Sequence, residues 1–299
     1  MAVAYTYDDN AKREDLLDII TNLDYKEFQL MSGLGTSSAS NIYHIWLTDT
    51  LKSVGHNAYV EGVDASFPDR TDPARLTNVC QVVRVGYDVS DTERAVNTAG
   101  FNDRYTYETQ KALKEWKQDA EFAIMRGSLV CGSGSGARQL QGIKNWFTSH
   151  NITSQSGTSL TEAILNDRFQ EVWDDGTEVN SVYASMYIKR KISGFTAGST
   201  KFTQSEDKRL YNAVDVYEAD AAKMVRLFAH RYVTTASEIA TDNYDVVGIN
   251  EEMFRIAYLR KPFVRELAKT GDSTKGEVVG ELTLECLHQD AGFLSQRHT

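Results

Sequence analysis

An α+β fold is predicted for this 299-residue chain by three features of its sequence. One stretch alternates apolar and polar residues strictly, one long stretch repeats its apolar residues at helical spacing, and the second half mixes short helical and extended patterns. No internal repeat is visible.

The first extended element is Ile42-Tyr-His-Ile-Trp-Leu47, and the alternating one places Val79, Val83, Val85, Tyr87 and Val89 on one face. Between them lies Ala65-Ser-Phe-Pro-Asp-Arg-Thr-Asp-Pro-Ala74, which holds two of the three prolines (Pro68 and Pro73; the third is Pro262) and reads as an exposed loop tip. The two flanks are expected to pair as a long two-stranded excursion. A lone hairpin buries little of itself and is marginal in water. This arm is therefore expected to rest on another subunit.

Helical spacing takes over from Asp103 to Gly127, where Leu113, Trp116, Ala120, Ala123 and Ile124 share one face and charged residues the other. At 1.5 Å per residue this is a rod of roughly 36 Å, with Gly127 as its stop. The Gly132-Ser-Gly-Ser-Gly-Ala137 segment is then a flexible surface loop. Ser159-Leu-Thr-Glu162 has the form of a capping box opening a helix with Leu165, Phe169 and Val172 on one side. A strand at Ser181–Ala184, a helix from Ser185 to Ile192, and apolar runs near Val214 to Tyr217 and Met224 to Val233 continue the α+β region. Near the end, Val278, Leu282, Leu284 and Cys286 alternate with Glu277, Glu281, Thr283 and Glu285, the pattern of a strand with one wet face.

The bulk composition narrows the function. With 41% hydrophobic and 25% charged residues the chain has the balance of a globular protein of one large or two modest domains. No run approaches the roughly 18 apolar residues of a membrane span. Its start, Met1-Ala-Val-Ala-Tyr-Thr-Tyr-Asp-Asp, lacks the regions of a signal peptide, so use without Sec export is expected. The net charge of -10 and pI near 5.2 argue against a dedicated nucleic-acid reader. Cys80, Cys131 and Cys286 are odd in number and widely spaced, and are expected as buried free thiols.

Candidate chemistry is sparse. The Gly132–Ala137 loop lacks the Gly-Lys-Ser/Thr ending of a phosphate loop and follows a helix, where a dinucleotide fingerprint follows a strand. His44, His56, His150, His230, His288 and His298 form no close ligand pair and read as surface or interface residues, with His44 packed beside Trp46. No Gly-x-Ser-x-Gly elbow occurs. Asp174-Asp175 and Glu251-Glu252 are sequence neighbours that diverge on any regular element, and read as solvated charge. Trp46, Trp116, Trp146 and Trp173 are expected as packing anchors. No cofactor, metal or catalytic residue is assigned.

Several segments together resemble the tailed-bacteriophage major capsid proteins of a short-tailed coliphage-like group with the Hong Kong 97-type fold. They are Arg13-Glu-Asp-Leu16, His44-Ile-Trp-Leu-Thr-Asp-Thr-Leu51, Glu61-Gly-Val-Asp-Ala65, Arg75-Leu-Thr-Asn78, Ile192-Ser-Gly-Phe-Thr196, and Leu259 through Gly276. The sharpest is Leu267-Ala-Lys-Thr-Gly-Asp272. Each is short, but they follow the family's order along nearly the whole chain. Leu287-His-Gln-Asp-Ala-Gly292 departs from the Asn-Glu-Ala-His-like run of the family.

The resemblance implies an N-terminal arm over 1–40, an extended β-hairpin loop with flanking strands over 41–90, and a peripheral domain with the long spine helix over 91–130. An axial domain over 131–250 and a return to the peripheral domain over 251–299 complete it. It implies a non-enzymatic shell subunit that assembles into hexamers and pentamers around a phage double-stranded DNA genome. Its partners would be itself, a separate scaffolding protein, a portal protein, a possible decoration protein, and non-specific contact with packaged DNA, without any membrane. Assembly in the bacterial host cytoplasm and residence in the virion follow. The family-like start within the first dozen residues leads us to expect no long cleavable scaffolding segment. Assembly contacts are expected at Trp46, Asp49, Glu61, Arg70, Arg75, Arg260 and Lys261. Arg260-Lys261 and Lys189-Arg190-Lys191 are read either as partners of acids across capsomers or as solvated charge. An encapsulin-type compartment, a phage tail or baseplate protein, and an enzyme built from scattered acids and histidines are the alternatives.

Overall fold

The computed structural model describes residues 28–52, 54–65, 67, 70, 72–96, 103–195, 216–217 and 224–299. The first 27 residues of the expected arm, including Arg13–Leu16, lie outside the described residues, as do parts of the 65–74 loop tip and the 192–196 segment. The described chain is mixed α and β, with helices α1 (Gln29–Gly33), α2 (Asp91–Ala95), α3 (Arg104–Arg126), α4 (Glu162–Asp174), α5 (Met186–Ser193) and α6 (Ala236–Ile239). Its strands are β1 (Gly35–Ser38), β2 (Tyr43–Thr48), β3 (Ala74–Val79), β4 (Gln81–Ser90), β5 (Ile152–Ser154), β6 (Ser181–Ala184), β7 (Val216–Tyr217), β8 (Val225–Ala229), β9 (Tyr244–Ile249), β10 (Phe254–Leu267), β11 (Ser273–Cys286) and β12 (Gly292–His298).

The strands form a four-stranded sheet in the order β1-β10-β11-β4, a six-stranded sheet β5-β12-β9-β6-β8-β7, and a two-stranded ribbon β2-β3. Among the described residues the chain divides into two compact units, Arg84–Trp116 with Phe263–Val279, and 28–83 with Lys117–Pro262 and Gly280–Thr299.

In the second unit the six-stranded sheet carries the largest apolar core. The apolar side of α4, Leu165, Phe169 and Val172, packs there with Val182, Ile188, Val225, Val246 and Phe293. The α4 cap is Thr161, whose hydroxyl accepts from Ile164 N, and not Ser159. The expected capping box is thus not formed: the cap sits two residues later, at Thr161, whose extended backbone turns its oxygen onto the first helical turn, and the residue at the third helical position is Ile164, which has no side-chain acceptor to complete a box. Helix α5 begins one residue after its expected start, with Ser185 as its cap. The last strand, β12, pairs with β9 and β5 and so belongs to this sheet.

The long helix stands where the spacing put it. Trp116, Ala120, Ala123 and Ile124 are buried on its apolar face. At its start Asp103 accepts from Tyr105 N and Thr106 Oγ1. At its end Gly127 is needed for close approach as well as for stopping the helix: a Cβ there would lie 2.4 Å from Leu140 O.

In the first unit the Tyr87 and Tyr105 rings meet tilted with centroids 5.3 Å apart, and Thr109 Oγ1 donates to Tyr87 Oη. Burial first, and then the neighbouring Tyr87, push the Tyr105 phenol up to about 12. Asp91 collects Lys269 and Thr274, which ties α2 to the start of β11.

Two strand expectations change. The strand at 42–47 pairs with β3 in the register Tyr43↔Val79 to Thr48↔Ala74, and meets the alternating run only at its first residue, Val79. The rest of that run, from Val83, is β4, which neighbours β11 in the four-stranded sheet. The chain turns between them at Cys80, whose N–H donates to Ile42 O. The face of β11 expected to be wet is buried: Glu277, Glu281 and Glu285 are all under 10% exposed. Each is compensated from outside its own strand, which alternation along one strand does not reveal.

Candidate assembly surface

The β2-β3 ribbon has an inner and an outer face, set by the two-residue period. On the inner face Trp46 Nε1 donates to Cys286 O at 2.6 Å, and its ring lies 5.5 Å from both Trp146 and His44. Trp46, expected among the assembly contacts, is therefore turned into its own chain, at 8% exposure. Opposite His44, Asn78 is fully buried and completely used. Its Nδ2 donates to Gln141 O and Leu284 O, and its Oδ1 accepts from Gln141 N and Val79 N. Sequence reasoning missed Asn78 as the second root of the ribbon, although an Asn beside the apolar pair Val79-Cys80 was the available signal.

On the outer face Tyr43, Ile45 and Leu47 are exposed, with Arg75 paired opposite Leu47. Beyond Thr48 the chain leaves the ribbon. Asp49 Oδ1 accepts from Thr50 N, Glu61 opens a turn with Gly62 at φ 81°, and Arg70 is exposed. Leu51, Val54, Tyr59, Val60, Val63 and Phe67 on this loop are 62–102% exposed. Six large apolar side chains exposed over so short a stretch form a contiguous run of apolar surface.

The other expected contacts lie on β10. Lys261 is exposed, whereas Arg260 Nη2 donates to Glu281 at 2.7 Å, with Arg138 3.9 Å from the same carboxylate. Glu285 accepts from Ser37 Oγ at 2.8 Å, and His44 stands 3.7 Å from it. In the first unit Glu277 pairs with Arg265 and lies 3.8 Å from Arg84. The structure thus keeps Asp49, Glu61, Arg70 and Arg75 on the ribbon and its loop, Arg260 and Lys261 on a different strand, and Trp46 inside.

Glu251 is buried, not solvated: it accepts from Tyr183 Oη at 2.7 Å and from Arg226 at 2.5 Å, which fills its two oxygens. His230 and His298 are buried, not at the surface, because each finds a polar partner inside, Glu121 and Ser295. Trp173 sits 55% exposed on the outer side of α4, and Cys131 is exposed beside the glycine loop. The other two thiols are buried, and burial is the chief cause that raises Cys80 to about 11 and Cys286 to about 12. The cluster 189–191 is partly used within the chain, since Lys191 Nζ donates to Ser159 Oγ at 2.9 Å. Among the described residues no group of three or more His, Cys, Asp or Glu is placed to hold a metal ion. No described helix is long and apolar enough to cross a membrane.

Over 123 residues the chain is 32% identical to the major capsid protein of Escherichia phage Phieco32, an alignment that takes in 41% of this chain and 35% of that protein. The match thus spans about a third of the length of the curated relative. Among solved structures, the capsid of a native GTA particle superposes at TM-score 0.67 and 10% identity, covering 98% of this chain and 97% of the other. The holo-SrpI encapsulin complex from Synechococcus elongatus PCC 7942 superposes at TM-score 0.60 and 12% identity, covering 99% and 95%. These likenesses establish the Hong Kong 97-type fold expected from the sequence. The family model described as SU10 major capsid protein matches residues 3–296, so the chain belongs to the SU10 major capsid protein family.

Proposed function

We propose that this chain is the repeating subunit of an icosahedral phage shell, assembling into hexamers and pentamers around double-stranded DNA. The observation that carries the proposal is the loop 51–67, whose large apolar side chains are almost fully open to water. A rooted ribbon that holds such an apolar loop out in water makes sense where a second copy covers it. Repeated contacts of this heterologous kind close into rings. Family membership supports a structural and not an enzymatic role.

In this reading residues 1–40 form the N-terminal arm and 41–90 the extended loop with its strands. The peripheral domain is built from 91–130 and the returning 251–299, and 131–250 form the axial domain, joined by the last strand β12. Asp49, Glu61, Arg70, Arg75, Arg260 and Lys261 meet neighbouring copies, and Trp46 fixes the ribbon root. A separate scaffolding protein, a portal and a possible decoration protein complete the particle. Assembly takes place in the bacterial host cytoplasm. Contact with DNA is weak and local, since the 32 Lys and Arg are outnumbered by 42 Asp and Glu, and a net charge of -10 opposes strong binding to phosphates.

Negative-stain microscopy of particles formed by the chain with its scaffolding protein tests this. Icosahedral shells that package DNA are expected. Small shells loaded with protein cargo would make it an encapsulin-type compartment, and a persistent monomer with ligand bound at a cleft would make it an enzyme. Efficient closed shells from the chain alone would remove the need for scaffolding.

A further inference from the structure

We propose that His230 is a positioning residue whose hydrogen bond to Glu121 turns that carboxylate into a tether for the N-terminal segment. Glu121 lies on α3 and is fully buried, yet it faces no arginine or lysine among its described hydrogen bonds. A buried carboxylate in that situation must collect several N–H donors. Glu121 has three. Oε1 accepts from Leu30 N at 2.8 Å, Oε2 from Met31 N at 3.0 Å, and His230 Nε2 approaches Oε1 at 3.1 Å.

The first two donors are backbone groups of the opening turn of α1, so a side chain from position 121 caps a helix ninety residues earlier. Phe28, just before α1, lies under Lys117 Nζ at 5.8 Å, one helical turn back on α3. The start of α1 is therefore held at a point set by the last turns of α3.

The third donor orients the carboxylate. Tyr232 N–H donates to His230 Nδ1 at 3.3 Å, and since a backbone N–H only donates, this places the ring hydrogen on Nε2, aimed at Glu121. The ring is held on two sides by Tyr183 and Tyr232, each edge-on at 5.7–5.9 Å. The same end of α3 also grips the β8–β9 connection through Arg126, which donates to Val233 O and to both oxygens of Glu238. One helix end thus fixes the N-terminal segment and the 230–238 connection together, with Glu121 and His230 as the shared joint. The consequence is coupling: where the chain enters α1 depends on the conformation of the 230–238 connection.

Hydrogen–deuterium exchange of the full chain, free or in particles, reads the tether directly. In His230→Leu the Leu30 and Met31 amides should exchange at least about tenfold faster, the scale of one lost charge-assisted hydrogen bond. Amides of β9 (Tyr244–Ile249) should stay unchanged. His230→Gln, which keeps an N–H within reach of Glu121, should restore most of the protection. Unchanged Leu30 and Met31 exchange in the leucine variant, or equal loss in both, would overturn the proposal. Should the leucine variant not fold, Glu121→Gln keeps the shape while offering one acceptor oxygen for three donors, and normal protection there would overturn it equally. The inference rests on the capsid reading only in treating the segment ahead of Phe28 as the arm. Failure to form shells with normal tether exchange would count against that reading and leave the tether standing.

Discussion

Deleting Val54 to Arg70 removes the loop while sparing the ribbon that carries it. Thr48 pairs with Ala74, so residues 49–53 and 71–73 remain to close the turn, and Trp46 and Asn78 still hold the root. The stability of the isolated subunit should therefore be unchanged, because the described large apolar side chains taken away are exposed. Their value lies in assembly. Covering a Leu, Val or Phe side chain contributes about 1.5–3 kcal/mol, which for the five large apolar side chains that the deletion removes, Val54, Tyr59, Val60, Val63 and Phe67, comes to about 10 kcal/mol gross. Immobilising them costs about 1 kcal/mol each, leaving about 5 kcal/mol per subunit, or roughly a few thousandfold in each association step. Sedimentation of assembly reactions should show soluble subunits and no stable shells, with unfolding of the subunit as in the parent chain. Shells at normal yield from the deletion variant would refute the reasoning.

Smaller perturbations test the surrounding structure. Trp46→Phe removes the donor to Cys286 O and leaves a buried carbonyl unsatisfied, so thermal or denaturant unfolding should register a loss of about 1–3 kcal/mol. Gly276→Ala would put a Cβ 2.5 Å from the Tyr87 ring and 2.7 Å from Tyr105 Oη. Overpacking of this kind costs about 1–3 kcal/mol, read as a lower denaturant midpoint. Burial alone would raise the Glu238 carboxyl, but the Arg126 fork, the Thr235 N–H and the charges of Lys144 and Arg126 outweigh it and hold it at about 2. Its folded-state value is depressed, so the stability it contributes is present above the unfolded value of about 4.5 and lost as pH falls toward 2. Glu238→Gln should flatten the acid limb of an unfolding-versus-pH curve in that window.

Local periodicity carried much of this fold. The rod at 104–126, the apolar side of α4, the strand at 181–184 and the helix after Ser185 were each legible because their pattern refers to one element at a time. The errors share a physical origin in what lies across from an element. A two-residue period identifies a strand but not its partner, so the 42–47 strand was assigned to β4 when the six residues of β3, with only Leu76 and Val79 as large apolar side chains, complete the ribbon. Alternating glutamates on β11 look solvated until Arg260, Arg138, Arg265 and Ser37 arrive from elsewhere. The same holds for Glu251 and His230, whose partners are 25 or more residues away in sequence. For the assembly surface, the sequence located the loop but placed Trp46 on the wrong side of it, since an aromatic in a strand carries no sign of which face it serves.

That distribution of charge bears on what kind of bond holds copies together. Arg260, expected at the interface, is already engaged with Glu281, and Arg265 with Glu277. What the loop offers a neighbour is chiefly Leu51, Val54, Val60, Val63 and Phe67, with Asp49, Glu61 and Arg70 between them as exposed charges. Exposed ion pairs contribute about 0–1 kcal/mol and are screened within about 3 Å at 1 M salt, whereas apolar burial is not screened. Raising salt from about 0.1 M to about 1 M should therefore leave the resistance of assembled shells to denaturant intact or slightly increased. A steep loss instead would transfer the interface energy from the apolar loop to Asp49, Glu61, Arg70, Arg75 and Lys261. The loop deletion and the salt series would then disagree about the same contact, and the charged residues would become the ones to substitute.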